Sequence, residues 1–113
     1  MSTAHTVNFW SPDVPVEERD HDPKLTAPWP RHICTWVVRR ELFGTIGAFD
    51  ESMPLSQDVD WGIRVQASGA VIETLPDVLT HRRLHAGNVT RKARARCRQA
   101  VLGSVRAHLR RSR

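Results

Sequence analysis

The clearest hydrophobic periodicity lies in the middle of the chain, where Val59, Ile63 and Ala67 recur every four residues. That spacing lines one face of a helix. Ser56 precedes the run as an N-cap whose hydroxyl can accept from a free first-turn amide, and Gly69 supplies a left-handed stop. The pattern predicts a helix over 57–68. Upstream, "HICTWVV" (32–38) is β-branched and aromatic and predicts a buried strand. "RRELFGTIG" (39–47) predicts a short helical turn ending at Gly47, and "AFDESMPL" a loop. Downstream, "AVIETL" (70–75) and "VLTHRRL" (78–84) predict two short strands parted by Pro76-Asp77. After "HAGNV", a final helix is expected from Thr90 to Leu109, with Ala93, Cys97, Ala100, Val101, Val105 and Leu109 as one apolar stripe.

Residues 1–30 break this regularity with five of the seven prolines, Pro12, Pro15, Pro23, Pro28 and Pro30. Proline removes a backbone donor and restricts the residue before it, so an extended, irregular arm is expected there. The predicted organisation is that arm followed by a domain over 31–113, with a basic helix over 90–110. Fold class follows as small α/β: a few strands, a central helix and a C-terminal amphipathic helix.

Length and composition narrow the picture. A chain of 113 residues fits one small domain, and its 40% hydrophobic and 26% charged content are ordinary for a globular protein. No apolar run of about 18 residues marks a membrane span. The start, "MSTAHTVNFW", has neither the basic opening nor the apolar core of a secretory signal, which makes a cytoplasmic location the expectation. Cys34 and Cys97 lack Cys or His neighbours at metal-ligand spacing, so two buried thiols are expected rather than a Cys-based zinc site.

Charge divides the chain. Of 17 Lys and Arg, nine follow residue 90, where there is no acid, while all 12 Asp and Glu precede it. A mildly acidic body therefore carries a basic tail, and only the tail invites anionic partners. That tail has no interleaved aromatics for base stacking, which disfavours nucleic acid. Leu102 and Leu109 are its large aliphatics, so packing on the domain's own core is expected, with peripheral association at a membrane surface as the second reading.

Candidate chemistry concentrates in "PLSQDVDWGIRVQASG" (54–69). On spacing alone, Asp58 and Asp60 are first-turn acids facing unpaired amides and the positive end of the helix dipole. Asp20-His21-Asp22, in "RDHDP", has the letters of an acidic metal motif, but "VPVEE" ahead of it is no apolar strand, and a solvated acidic loop is expected.

Read as one series, "WVVRRELFGTIGAFDESMPLSQDVDWGIRVQASGAVIETLPDVLTHRRLHAGNVTR" resembles the C-terminal half of a GT-A-type, family 2 nucleotide-sugar glycosyltransferase over residues 36–91. The likeness rests on ordered pieces: an apolar strand ending at Arg39-Arg40, "IGAFDE", the acidic helix opening "SQDVDW", Arg64 in the helix and Gly69 ending it. A strand, a Pro-Asp turn and "RRLHAGNVT" complete the series. The resemblance implies a truncated GT-A-like fold and inverting transfer of a sugar from a UDP- or GDP-type donor to an acceptor sugar or lipid-linked acceptor. Asp58 matches the base that would deprotonate the acceptor hydroxyl. Asp60 and Trp61 would lie on the acceptor side, Trp61 either as a floor for the sugar or as packing on the helix. Arg82 and Arg83 match the diphosphate region. His85 matches a metal-contacting histidine, with a loop histidine bonded to backbone as the alternative. A divalent metal, manganese or magnesium, would be the cofactor of a complete donor site.

Two departures qualify the likeness. Gln57 stands where the family usually has Glu, and the arm over 1–30 occupies the place of the family's nucleotide-binding βαβ half. The resemblance therefore implies either a transferase whose donor half comes from a partner chain or a second copy, or a non-catalytic remnant that binds nucleotide, sugar or protein. A basic module for nucleic acid or a membrane surface is the remaining alternative.

Overall fold

The computed structural model describes residues 1–111, which form a small mixed α/β protein. The chain divides into two compact units, Met1–Val37 with Ile72–Arg91, and Val38–Val71 with Lys92–Arg113.

The first unit is built on a three-stranded sheet in the order β2-β1-β3. β1 (Ser2–Trp10) is the central strand, antiparallel to the two-residue β2 (Trp29–Pro30) and parallel to the long β3 (Glu73–Leu84). The expected irregular arm thus begins with the strand that centres the sheet. Its buried positions include Thr3, Thr6 and Asn8, polar residues that conceal the alternation a half-buried strand normally shows. All of the prolines of 1–30 lie beyond it. Asn8 is satisfied at both ends of its amide, Nδ2 donating to the Leu25 carbonyl (2.6 Å) and Oδ1 accepting from Arg82 (3.4 Å). Leu25 belongs to α1 (Pro23–Thr26), whose N-cap Asp22 accepts from the Lys24 amide. The Thr6 hydroxyl is buried without a partner among the described residues.

β3 replaces the two short strands expected over 70–84. Its ladder with β1 shifts register between the pairs Thr3↔Thr74, His5↔Val78 and Thr6↔Thr80, so Pro76 and Asp77 fall in an irregularity rather than a break. Proline is tolerated there because an irregularity on an outer strand needs no ladder donor. The strand expected over 32–38 is instead a 3₁₀ turn, Ile33–Thr35, with a single antiparallel bridge from Val37 to Ser2. Local bonds explain the difference. His32 Nδ1 accepts from the Cys34 amide (3.3 Å) and the Thr35 hydroxyl donates to the His32 carbonyl (2.7 Å), giving the backbone a turn in place of a ladder. Cys34, expected in the core, is exposed, and Cys97 is half-buried.

In the second unit, α2 (Arg40–Ile46) ends at Gly47 with φ 86°, and α3 (Gln57–Ala67) ends near Gly69 with φ 74°. Both stops match the sequence reading. Ser56 is the N-cap residue of α3 by position, yet it has φ 62° and makes no side-chain capping bond; its hydroxyl lies 3.4 Å from the Cys97 carbonyl, as its donor. The expected final helix forms as α4 (Val89–Lys92) and α5 (Arg94–Arg111), and α5 packs on α3. Its apolar stripe divides: Ala93, Cys97, Ala100 and Val101 are half-buried and Ser104 is buried, whereas Val105 and Leu109 are exposed.

Candidate functional site

The residues singled out by sequence fall into two groups, Asp58, Asp60 and Trp61 in the second unit and Arg82, Arg83 and His85 in the first. α3 positions the first group. Helical spacing sends Asp60, Trp61 and Val65 inward, and all three are buried. Trp61 has no exposed surface. Its ring stacks on Phe43 (centroids 4.7 Å apart) and meets Phe49 (5.5 Å), while its Nε1 donates to the Gly47 carbonyl (2.8 Å). Of the two roles open to Trp61, packing is the one observed, since a floor for a sugar requires an exposed face.

Asp60 accepts from Arg64 Nε (3.0 Å) one helical turn on. The same guanidinium donates to the carbonyls of Ile46 (2.9 Å) and Ala48 (2.8 Å). Three consecutive carbonyls, 46 to 48, are thus held by Arg64 and Trp61. They lie at the C-terminal end of α2, where free carbonyls and the negative end of the helix dipole favour a cation. Asp60 orients that cation. Its carboxylate is committed to the α2–α3 connection rather than displayed to solvent.

Asp58 differs. It stands in the first turn of α3, half-buried, and among the described residues its carboxylate has no hydrogen-bond or ion-pair partner. It is the accessible carboxylate of the helix opening.

In the first unit, the C-terminal ends of the parallel strands β1 and β3 carry the second group. Leu84 pairs with Trp10, Arg83 with Phe9 and Arg82 with Asn8. Arg82 is half-buried and Arg83 exposed. Just past β3, the His85 amide donates to Asn88 Oδ1 (2.5 Å) and His85 Nδ1 accepts from the Gly87 amide (3.0 Å). This is the backbone-bonded loop histidine of the alternative reading. An acceptor Nδ1 places the ring proton on Nε2, the atom a metal would need free.

Sequence reasoning passed over Asp13. It follows β1 in the loop Ser11-Pro12-Asp13, where the Ser11 amide donates to the Leu84 carbonyl (2.9 Å) and the Ser11 hydroxyl donates to Asp13 Oδ1. That hydroxyl, and the backbone amide of Asp13 itself, hold the carboxyl below its usual range, with the charges of Arg83 and His85 acting in the same direction. The acid facing the β3 end is therefore Asp13. The one available signal was its place directly after a strand, and that strand was hidden by its polar inward face.

Asp20, His21 and Asp22 border a cavity of about 330 Å³ with Trp10, Val16, Arg19 and Thr26. Asp22 caps α1 and Asp20 Oδ1 accepts from the Asp22 amide (3.0 Å), the loop role expected of them. Among the described residues no three His, Cys, Asp or Glu gather to hold a metal ion. With His85 Nδ1 engaged by Gly87 and Asp13 by Ser11, the described residues do not present a ligand set that fits a divalent metal. No helix of the described residues is long and apolar enough to cross a membrane. The chain matches no protein-family model, no curated protein and no solved structure.

Proposed function

We propose that this chain is the acceptor-side half of a family 2-like, inverting nucleotide-sugar glycosyltransferase, with Asp58 as its base. The observation that carries the reading is the contrast within one helix turn: Asp60 is tied to Arg64, while Asp58 is half-exposed and has no partner among the described residues. A base needs a carboxylate with free lone pairs that an acceptor hydroxyl can reach, and inverting transfer needs that base to take the hydroxyl proton as the oxygen attacks the anomeric carbon. The ordered resemblance over 36–91 supports the same assignment.

Asp60 and Trp61 enter this proposal as positioning residues, fixing α3 on the α2 end so that Asp58 is held in place. Arg82 and Arg83 supply positive charge for the nucleoside diphosphate of a UDP- or GDP-type donor, the leaving group whose developing charge must be stabilised. A divalent metal, manganese or magnesium, belongs to the donor half, which a partner chain or a second copy provides. The acceptor is a sugar or a lipid-linked sugar. With the donor half supplied and a panel of UDP- and GDP-sugars, Asp58→Asn is expected to abolish transfer while leaving the fold intact. Transfer retained by that variant removes Asp58 from the mechanism.

A second reading is a non-catalytic remnant that binds nucleotide, sugar or protein, in keeping with the burial of Trp61, which presents no face to a sugar. It predicts no turnover of any donor with manganese or magnesium added, and detectable hydrolysis excludes it.

A further inference from the structure

Between the end of β1 and α1 lies the cavity of about 330 Å³, at the small end of ligand-sized sites, and none of the residues assigned to sugar transfer lines it. Its surroundings are tied down from two directions. Asn8 Nδ2 donates to the Leu25 carbonyl (2.6 Å), fixing α1 against β1. Arg19 Nε donates to the Val14 carbonyl (3.0 Å) and Nη2 to the Ser11 carbonyl (3.5 Å), which holds the returning loop. One wall is the indole of Trp10, half-buried and placed by its pairing with Leu84 at the end of the β1–β3 ladder. Asp20, Asp22 and Thr26 supply polar lining. Asp22 Oδ1 caps α1 by accepting from the Lys24 amide (3.0 Å), and Oδ2 has no hydrogen bond or ion pair among the described residues.

We propose that this cavity binds a small organic ammonium compound, with its charged head at Asp22 and its hydrocarbon body across Trp10. An indole face attracts a cation through its ring quadrupole and covers methylene groups, and a carboxylate oxygen accepts charge-assisted bonds from an ammonium. The local charge has the matching sign. Residues 16–26 hold Glu17, Glu18, Asp20 and Asp22 against Arg19 and Lys24, and the Arg19 guanidinium is engaged by two backbone carbonyls. A neutral sugar calls for donors as well as acceptors, and the guanidinium that could donate is turned to the loop. A bare metal ion calls for converging oxygens and gains nothing from an indole. The inference stands independently of Asp58 and of sugar transfer.

NMR of the full chain, following backbone amides and indole N–H groups, tests it with two probes, cadaverine and its neutral counterpart pentanediol. The expected result is saturable shifts at Trp10, Asp22 and Thr26 with cadaverine, weakened by salt, and none with pentanediol. Asp22→Asn retains an N-cap acceptor and removes the charge, so the fold should persist while cadaverine affinity falls about tenfold. Equal shifts with pentanediol, or no shifts with cadaverine from a folded protein, overturn the proposal without reference to any variant. Undiminished affinity in Asp22→Asn overturns it as well, since the charge that selects the ligand would then lie elsewhere. Glucose shifting these residues where cadaverine leaves them unmoved assigns the cavity to a sugar, and manganese broadening them where cadaverine leaves them unmoved assigns it to a metal; either outcome overturns the proposal.

Discussion

Asp58 and Asp60 share the first turn of α3, yet their carboxylates meet different surroundings. Two helical steps, about 200° of rotation, turn Asp60 toward the α2 end, where Arg64 is one turn away, and leave Asp58 at the rim. Spacing identified both as first-turn acids, but which of them faces inward depends on where α2 ends. Two further residues yield predictions at this scale. The Thr6 hydroxyl is buried and unpaired among the described residues, so Thr6→Val, which keeps the shape and removes the stranded group, should stabilise the protein by about 1–2 kcal/mol, read as a rise in Tm. Asp13 has a folded pKa held down chiefly by the Ser11 hydroxyl. A depressed carboxyl supports the folded state above its unfolded value, about pH 4, and that support fades as pH falls through the lowered value. Ser11→Ala should move the Asp13 titration, followed by carboxyl NMR shifts, upward toward the ordinary range; an unchanged titration would show that the hydroxyl is not its cause.

At the scale of elements, the α2–α3 connection is held by side chains of α3, since Arg64 and Trp61 between them bind the carbonyls of residues 46, 47 and 48. Arg64→Ala removes the donor to two of those carbonyls and the ion-pair partner of Asp60, and should cost about 2–4 kcal/mol in denaturant unfolding. Gly47→Ala meets ordinary van der Waals space, with Arg64 Nη1 at 3.5 Å, so its cost is conformational: φ 86° disfavours a side chain by about 1–2 kcal/mol. The helices were legible because their signals are local. Four-residue apolar spacing and a glycine stop marked α3, and Gly47 marked the end of α2. The strands were not, because what decides them is remote. β1 carries Thr3, Thr6 and Asn8 inward, and Asn8 is satisfied by Leu25 and Arg82, 17 and 74 residues along the chain. The run over 32–38 failed in the opposite sense, its apolar letters suiting a strand while His32 and Thr35 close a turn.

For the whole molecule, the two units divide the candidate chemistry between them: the half-exposed carboxylate on α3 in one, and the cationic end of β3 with Asp13 in the other. Asp58, Arg82, Arg83 and His85 were nominated by their place in an ordered series. Their states were not legible there. Whether a carboxylate is free or paired, whether an indole has an exposed face, and which ring nitrogen of a histidine is engaged are settled by partners that no local pattern names. On the proposal that Arg82 and Arg83 supply charge for the diphosphate of a nucleotide-sugar donor, the most direct measurement is an amide NMR titration of the intact protein with UDP and with GDP in magnesium. Saturable shifts centred on Arg82, Arg83 and His85 are the predicted result. A folded protein whose amides do not move with either nucleotide would contradict it.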